Sequence, residues 1–257
     1  MSEKVILILV DGMRPDGLLQ CGHPFVQKLL ENSTYSLDAQ TVWPSVTLPC
    51  HTSLFYGIEP YMHGITTNTF TYLPKPYPSL FNQLEESKKK CAMFYTWEEL
   101  RDMCQPGALH HSTLVNIYSN EHSDTKITDA AIPYIQEEQP DFLFLYLGEV
   151  DSFGGHDFGW MSKEYLEYVN NAMTNIERVY NSLPEGYTLM VLADHGGHDR
   201  YHGHPSPEDM TIPIIFCGPR FEKNKKVSGM SILDIAPTVT KLLEVPVARE
   251  WMGTARV

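Results

Sequence analysis

Basic residues are scarce in this chain, and their scarcity limits the partners it can have. Its 257 residues include 19 lysine and arginine residues against 32 acidic residues, a formal net charge of −13. Nucleic acids and anionic membrane surfaces attract positively charged proteins, so we expect neither as a partner. An anionic small-molecule substrate is compatible with this charge, because bound metal ions can supply local positive charge.

Long apolar runs are also absent, as are the cysteine patterns of a disulfide framework. No run approaches the roughly 20 residues of a membrane-spanning helix. The first apolar run leads into Asp11 without a signal-peptide cleavage pattern. The five cysteines are an odd number without a Cys-x-x-Cys pair, which argues against a disulfide framework or a zinc ribbon. We therefore expect a soluble, cytoplasmic protein, and the sequence leaves its oligomeric state open.

Repeats, low-complexity tracts and domain linkers are missing too, so we expect one domain over residues 1–257. Apolar runs typical of buried strands alternate with segments typical of helices, which predicts an α/β fold with a mainly parallel sheet. The expected strands cover residues 4–10, 35–42, 91–95, 141–147, 187–193 and 212–217. The expected helices cover residues 24–30, 49–56, 79–90, 124–139, 162–182 and 232–243.

Residues 194–204 are the segment richest in metal-ligand side chains, with four histidines and two aspartates. The segment directly follows the apolar run 187–193, and ligands of open α/β sheets bind at the carboxyl ends of the strands. The alternative is a polar surface loop that happens to be rich in histidine. The position at the end of a buried strand favours a metal site.

Two other expected strands also lead to an aspartate. Residues 4–10 lead into Asp11, and residues 141–147 lead to Asp151, with His156 five residues later. One aspartate after a strand is most often a turn residue or a helix cap. Parallel strands bring their carboxyl ends to one edge of the sheet, however, so we expect Asp11, Asp151 and Asp194 to converge.

Thr47 is the candidate nucleophile. Residues 44–51 read Pro-Ser-Val-Thr-Leu-Pro-Cys-His, and Pro49 favours the first turn of a helix. A hydroxyl at that end of a helix lies among free N–H groups, near the positive end of the helix dipole, and both favour a bound phosphate. A threonine hydroxyl needs activation, which coordination to a divalent metal supplies. The alternative is that Thr47 is only the N-cap of the helix.

In their order along the chain, these motifs resemble the alkaline phosphatase superfamily, and within it the type I phosphodiesterase / nucleotide pyrophosphatase branch. The resemblance rests on Asp11-Gly12, residues 44–49, residues 61–65, Asp151 with His156, Asp194-His195-Gly196 and His202-Gly203. It implies a three-layer sandwich with a mostly parallel central sheet and, at this chain length, no large cap domain. It also implies a two-metal hydrolase of phosphate esters, with phosphodiesters or nucleotide pyrophosphates as the expected substrates.

The resemblance further implies two divalent metal ions bridged by the reacting phosphate. Asp11, Asp194 and His195 would hold one ion. Thr47 would lie beside that ion, attack phosphorus and form a phosphothreonine intermediate, which water then releases.

The second ion would be held by Asp151, His156 and a late histidine. His202 fits the pairing with glycine that the family usually has there, and His204 is the alternative. Mixed histidine and carboxylate ligands suit Zn²⁺, and Mn²⁺ remains an alternative because ligand type alone does not separate the two.

Two positions depart from the family pattern. The phosphodiesterase branch has an asparagine three residues after the nucleophile, where it holds a phosphoryl oxygen, and this chain has Cys50. A thiol is a weak donor. We expect Cys50 to face the reacting phosphate, with burial under the helix as the alternative. The spacing from Asp151 to His156 is one residue longer than usual, and Gly154 and Gly155 could absorb the extra residue in a bulge.

Other functions stay open from the sequence. A phosphomonoesterase or a phosphonate hydrolase is the alternative enzyme on this scaffold. The two departures also motivate a non-enzyme alternative, which is a metal-stabilised binding protein with a decayed active site.

Overall fold

The structure is a computed structural model that describes residues 3–73, 75–104 and 107–257. Its strands are β1 (Lys4–Val10), β2 (Thr34–Gln40), β3 (Cys91–Tyr95), β4 (His111–Leu114), β5 (Phe142–Leu147), β6 (Tyr187–Leu192), β7 (Thr211–Cys217) and β8 (Lys225–Lys226). They form an eight-stranded sheet in the order β4-β3-β5-β1-β6-β7-β2-β8.

Helices cover both faces of this sheet. They are α1 (Pro15–Gln20), α2 (Phe25–Glu31), α3 (Thr47–Tyr56), α4 (Pro60–His63), α5 (Leu80–Glu86), α6 (Ser123–Glu138), α7 (Lys163–Ser182), α8 (Pro207–Met210) and α9 (Ile235–Leu242). Short 3-10 turns span Glu98–Met103, Ile117–Ser119 and Ile232–Asp234, and a π-helix spans Val150–Phe158. Helices α1, α2 and α6 pack on α7, whereas α3, α5 and α9 pack together on the other face. The predicted three-layer α/β fold is therefore confirmed.

The strands at the centre of the sheet are buried on both faces. Side chains of β1 after its first residue, and all those of β5 and β6, are buried. Because helices cover both faces, these strands carry continuous apolar runs rather than an alternating pattern. None of the helices in the described ranges is both long and apolar enough to cross a membrane.

Five neighbouring strands, β4, β3, β5, β1 and β6, run parallel, as the sequence predicts. Strand β7 is the exception, since it runs antiparallel to both β6 and β2. A parallel connection needs a long crossover, usually a helix. The segment between β6 and β7 contains only the four-residue α8 and makes no such crossover. Strand β7 therefore starts at the same end of the sheet at which β6 stops, and runs in the opposite direction.

Three local features differ from the expected pattern. Helix α3 begins at Thr47, two residues before the expected start, because Val46 is the last residue with an extended backbone. Strand β4 was not predicted, since its side chains alternate between half-buried and exposed and include no apolar run. The π-helix Val150–Phe158 takes the place of the bulge expected after β5.

Candidate active site

Three aspartates meet at one edge of the sheet. Strands β5, β1 and β6 are parallel neighbours, and the chain reaches Asp151, Asp11 and Asp194 just beyond their carboxyl ends. Gly12 permits the close approach, because it has a φ of 67° and a Cβ there would lie 3.0 Å from Asp151 Cβ. Its N–H donates to Asp194 Oδ1 at 3.2 Å. The three carboxylates are therefore held side by side.

His195 lies between two candidate ligand groups. Asp11, Asp194 and His195 present ligand atoms within 4.8 Å of one another, and so do Asp151, His195 and His202. The Nε2 atom of His195 is 3.1 Å from Asp11 Oδ1 and 3.5 Å from Asp194 Oδ2. The family resemblance assigns His195 to one ion, and the structure places it next to ligands of both.

The three candidate histidines all turn the same ring nitrogen toward the carboxylates. Each has its Nδ1 atom at hydrogen-bond distance from a backbone carbonyl. A carbonyl only accepts, so each Nδ1 carries a proton, and in the neutral form of each ring Nε2 keeps a free lone pair. This arrangement is typical of metal-binding histidines. The pairs are His156 with Arg200 at 2.9 Å, His195 with Gly196 at 2.8 Å and His202 with Ser45 at 2.9 Å.

The π-helix accounts for the long spacing between Asp151 and His156. Its hydrogen bonds close over five residues, so residues five apart lie about one turn apart. The Nε2 atom of His156 is 3.5 Å from Asp151 Oδ2, and the His202 Nε2 is 3.7 Å from Asp151 Oδ1. Asp151 thus lies between the two histidines, as the second proposed ligand set requires.

The structure separates His202 from its alternative, His204. The N–H of His204 donates to Asp209 Oδ2 at 2.8 Å, and its ring packs edge-on against His198. The Nδ1 atom of His198 lies 2.7 Å from Asp209 Oδ1. Buried Asp209 therefore holds both of these histidines outside the ligand groups that contain His202.

The carboxylates fit bound cations because part of each has no protein partner. Asp11 Oδ1, Asp151 Oδ1 and Asp194 Oδ2 are buried. While His195 carries its proton on Nδ1, none of the three accepts a hydrogen bond within the described part of the chain, although His195 Nε2 lies 3.1 Å from Asp11 Oδ1. A buried carboxylate oxygen without a partner is costly unless a cation or proton satisfies it. Three such oxygens and three imidazole lone pairs form a donor set suited to zinc-type ions. These residues could hold two divalent ions.

The pKa shifts of the ion-free cluster also indicate that the cluster favours bound cations. Burial and the charge of Asp11 raise the pKa values of Asp151 and Asp194 well above the ordinary aspartate value. Burial also acts to raise the pKa of Asp11, but His195 and Tyr146 outweigh it and lower that pKa to about 2. Asp194 and Asp11 raise the His195 pKa well above normal, despite its burial. Protons therefore compensate charge that divalent cations would neutralise more fully.

Thr47 is positioned beside this cluster. It is the first residue of α3, and Val46 occupies the N-cap position, so Thr47 is not the cap of the helix. Its Oγ1 atom is 3.2 Å from His195 Nε2, and the residue is 4% exposed. The hydroxyl thus lies at a helix N-terminus and next to candidate metal ligands, as a metal-activated nucleophile requires.

Asn68 is a candidate functional residue that the sequence did not reveal. Its side-chain Oδ1 accepts a hydrogen bond of 3.0 Å from the N–H of Leu48, the residue after Thr47. Because Oδ1 is the acceptor, the amide Nδ2 remains as a donor on an exposed side chain. It lies in an irregular stretch after Gly64 whose sequence shows no periodic pattern, so only the fold brings it to Thr47.

Cys50 does not occupy the position expected of it. Its side chain is 0% exposed, and its sulfur accepts a hydrogen bond from the Thr41 hydroxyl at 3.3 Å. Burial, with a smaller effect from Asp194, raises its pKa well above the ordinary thiol value. The thiol is therefore packed beneath α3, which is the alternative that the sequence left open. Asn68, on another segment, is an amide side chain that contacts the backbone next to Thr47.

His63 ties the segment that carries Asn68 to α3. The N–H of Ile65 donates to His63 Nδ1 at 3.1 Å, so the ring proton lies on Nε2, which donates to the Ser53 hydroxyl at 3.0 Å. Both ring nitrogens are satisfied in the neutral form. Burial lowers the pKa of His63 to about 4.

Two family profiles match the chain in succession. Residues 5–100 match the type I phosphodiesterase / nucleotide pyrophosphatase family. Residues 99–247 match the metalloenzyme superfamily, and this range covers more than half of the 257 residues. The first range contains Asp11 and Thr47, and the second contains the other candidate ligands.

Individual proteins show the same similarity. Human ectonucleotide pyrophosphatase/phosphodiesterase family member 1 is 26% identical to this chain. The alignment covers 76% of this chain and 24% of the human protein. GPI ethanolamine phosphate transferase 2 of Schizosaccharomyces pombe is 28% identical over 98% of this chain, which spans 38% of that relative. The solved structure of murine ectonucleotide pyrophosphatase / phosphodiesterase 5 has a TM-score of 0.79 at 16% identity, with 98% of both chains covered. Another structure of that murine protein is a complex with AMP.

The ligand geometry predicts metal binding that can be measured without any activity. Protein purified without chelator should contain about two divalent ions per chain by elemental analysis. Chelation should lower the melting temperature, because ions that bind only the folded state stabilise it by mass action. Asp194→Asn should reduce the metal content, whereas Asp38→Asn, at an exposed position outside the cluster, should not. Titration with Zn²⁺ and Mn²⁺ that shows no binding would contradict the assignment.

His63 predicts a pH dependence of stability. The unfolded-state pKa of histidine is about 6.5, so His63 destabilises the fold as the pH falls from that value toward its folded pKa of about 4. Each pH unit between these two pKa values lowers the unfolding free energy by about 1.4 kcal/mol, so the total loss reaches about 3 kcal/mol. His63→Asn keeps an acceptor for Ile65 but does not titrate, so metal-free protein should lose that much less stability between pH 6.5 and pH 4. His122→Asn, at an exposed histidine, should keep the wild-type profile. Equal profiles for wild type and His63→Asn in urea unfolding would refute this role.

Proposed function

The chain belongs to the alkaline phosphatase superfamily of metalloenzymes, and on this basis we propose that it hydrolyses phosphodiesters or nucleotide pyrophosphates with two bound metal ions. One observation carries the proposal. Three buried carboxylates and the imidazoles of His195 and His202 form two overlapping ligand groups, and the hydroxyl of Thr47, at the N-terminus of a helix, lies 3.2 Å from His195. His156 adjoins this cluster through Asp151 at 3.5 Å. The chain spans about a quarter of the human relative, so the activity of the whole relative is not transferred to it.

Thr47 carries the covalent step of this mechanism. Its hydroxyl oxygen attacks phosphorus and a new oxygen–phosphorus bond forms, while the bond to the leaving alcohol or phosphate breaks and the hydroxyl proton is transferred to the departing oxygen. The result is a phosphothreonine at position 47, which water then hydrolyses to regenerate the hydroxyl. Bound divalent ions would lower the pKa of the attacking hydroxyl and neutralise charge on the phosphoryl oxygens.

Asn68 and the start of α3 bind the phosphoryl group in this mechanism. Asn68 Oδ1 is fixed by the Leu48 N–H, so its Nδ2 donor is directed by a backbone contact next to the nucleophile. Donors held in place before the reaction stabilise the charge that develops on phosphoryl oxygens without reorganisation. The helix dipole of α3 adds a partial positive charge at the same end.

The charge around the site favours diesters over the alternative phosphomonoesters. Among the described residues, the hydrogen bonds and ion pairs of the six proposed ligands involve no lysine or arginine side chain. A monoester carries up to two negative charges at neutral pH, and a diester carries one. A site whose positive charge comes from metal ions alone is better matched to the single charge of the diester.

The covalent mechanism predicts a severe defect in Thr47→Ala. Hydrolysis of bis(4-nitrophenyl) phosphate with added Zn²⁺ or Mn²⁺ should fall by a factor on the order of 10³ or more, because the nucleophile is gone. Metal content should be retained, and Thr47→Ser should keep partial activity because a hydroxyl remains. If Thr47→Ala works at the wild-type rate, water attacks directly and the phosphothreonine does not form. If wild-type protein loaded with metal hydrolyses no diester, the proposed activity is wrong, and hydrolysis of 4-nitrophenyl phosphate or a 4-nitrophenyl phosphonate then separates the alternative enzymes from a decayed site.

The role of Asn68 is tested by a variant that preserves its shape. Asn68→Asp keeps the acceptor for the Leu48 N–H but loses the Nδ2 donor, so kcat for the same diester should fall about 10²–10³-fold. Thr66→Ala changes a nearby exposed side chain of the same segment and should leave kcat close to wild type. Wild-type kcat in both Asn68→Asp and Asn68→Ala would show that Asn68 does not contact the phosphoryl group.

A further inference from the structure

The chain segment after α9 ties together the two ends of the stretch that connects α3 to α5. Trp251 lies in this later segment and is 8% exposed. Its indole Nε1–H donates to the carbonyl of Pro78 at 2.9 Å, and the N–H of Met252 donates to the carbonyl of Gly57 at 2.7 Å. Gly57 directly follows α3, and Pro78 lies shortly before α5. Two neighbouring residues of one segment therefore hold both ends of the connecting stretch.

The contact between Trp251 and Gly57 is close enough to require a glycine. A Cβ at position 57 would lie 2.6 Å from Trp251 Cγ, and Gly57 has a φ of 59°. A side chain there would be strained by the backbone conformation and blocked by the indole ring. The ring thus packs directly on the backbone at the end of the helix that begins with Thr47.

Hydrogen bonds to Asp234 fix the same segment just beyond Trp251. The N–H of Thr254 donates to Asp234 Oδ1 at 2.7 Å, and the Arg256 guanidinium donates to Asp234 Oδ2 at 2.8 Å. Asp234 is 3% exposed and precedes α9. Charge-assisted hydrogen bonds to a buried carboxylate are strong and directional. Trp251 is therefore held in place by the fold and can hold other groups in turn.

Few directional contacts fix the stretch after α4. Among the described residues of 66–77, one hydrogen bond reaches another segment, and it joins the Leu48 N–H to Asn68 Oδ1. Half-buried apolar side chains of this stretch also pack on the core, but apolar contacts are non-directional. His63 holds the near end of the stretch, and Trp251 holds its far end. The placement of Asn68 thus depends on both ends.

We propose that Trp251 is a positioning residue for the phosphoryl-binding amide. By holding Gly57 and Pro78 together, it keeps Asn68 in contact with the backbone next to Thr47. This inference rests on the proposed function for its effect on turnover, and it adds to that function a residue that acts through Asn68 without touching the substrate. The alternative is that Trp251 only stabilises the fold as a whole.

Hydrogen exchange of the Leu48 amide reports on the Asn68 contact without any activity. Leu48 is the second residue of α3, and the first N–H groups of a helix have no partner within it. Asn68→Ala removes the acceptor and should speed the exchange, which calibrates the measurement. Trp251→Phe keeps an aromatic ring on Gly57 but lacks the Nε1 donor. Exchange of Leu48, resolved by NMR on purified protein, should become about two- to tenfold faster, as expected for one lost hydrogen bond of ordinary strength.

Reference amides separate this local effect from a general loss of stability. In Trp251→Phe, the Cys50 N–H, which donates to the Val46 carbonyl at 3.0 Å, and the amides of β1 should keep their wild-type exchange rates. Met252→Ala changes an exposed neighbouring side chain and keeps the backbone contact with Gly57, so Leu48 should exchange as in wild type.

Two results of the exchange measurement would overturn the inference. One is unchanged exchange of Leu48 in Trp251→Phe. The other is equal acceleration of the Leu48, Cys50 and β1 amides, which would show that Trp251 only stabilises the whole fold. If Trp251→Phe does not fold, 3-benzothienylalanine at position 251 repeats the test, because it replaces the indole N–H by sulfur and keeps the size of the ring.

Turnover tests whether Trp251 acts through Asn68. With bis(4-nitrophenyl) phosphate, Trp251→Phe should lower kcat by about two- to tenfold. In the Asn68→Asp background the same change should have no further effect, because the donor that Trp251 positions is already gone. Equal losses of kcat in both backgrounds would contradict the inference. If the wild-type protein hydrolyses no diester, the proposed function fails, and the exchange of Leu48 still decides the role of Trp251.

Discussion

The arrangement on which the rest of the structure depends is the burial of three carboxylates at adjacent strand ends. Leu9 of β1 pairs with Tyr146 of β5 and with Leu192 of β6, so the strands end at nearly the same level. Like charges this close in a water-poor interior are unfavourable unless protons or cations compensate them. The buried core fixes the strand register, and the register keeps the carboxylates together. The stable sheet thus holds negative charges close together, and bound divalent ions can compensate the repulsion between them.

Backbone carbonyls orient most of the side chains that surround the carboxylates. The carbonyl of Gly12 accepts hydrogen bonds from Trp160 Nε1 at 2.8 Å and from the Tyr165 hydroxyl at 3.0 Å. The Tyr146 hydroxyl donates to Asp11. Each candidate histidine is oriented by a backbone carbonyl, which belongs to Arg200 for His156, to Gly196 for His195 and to Ser45 for His202. The ligand atoms are therefore preorganised, which favours selective metal binding.

The strongest sequence signals were those that did not depend on tertiary geometry. Continuous apolar runs located β1, β5 and β6 to within a residue, and parallel strands that end in aspartates predicted their convergence. The antiparallel orientation of β7 was not predictable, because an apolar run indicates a buried strand but not whether that strand is parallel or antiparallel to its neighbour. The π-helix was not predictable either, because a one-residue insertion next to two glycines fits a bulge as well as a wider helix.

The observed positions of Cys50 and Asn68 were unpredictable for a similar reason. A spacing of three residues puts Cys50 in the first turn of α3, but spacing does not specify which side of that turn meets the substrate. The helix begins earlier than expected, and the thiol turns beneath it toward Thr41. The contact between Leu48 and Asn68 joins positions 20 residues apart through α4 and an irregular loop. No local pattern encodes such a contact, so it had to be observed.

The net charge of −13 has a consequence inside the protein as well as at its surface. The carboxylates at the strand ends are buried, and an oxygen of each lacks a hydrogen-bond donor within the described residues, so they favour bound cations. Cations held there would in turn attract an anionic group such as a phosphate. The acidic composition that argues against nucleic acids is therefore compatible with a phosphate ester.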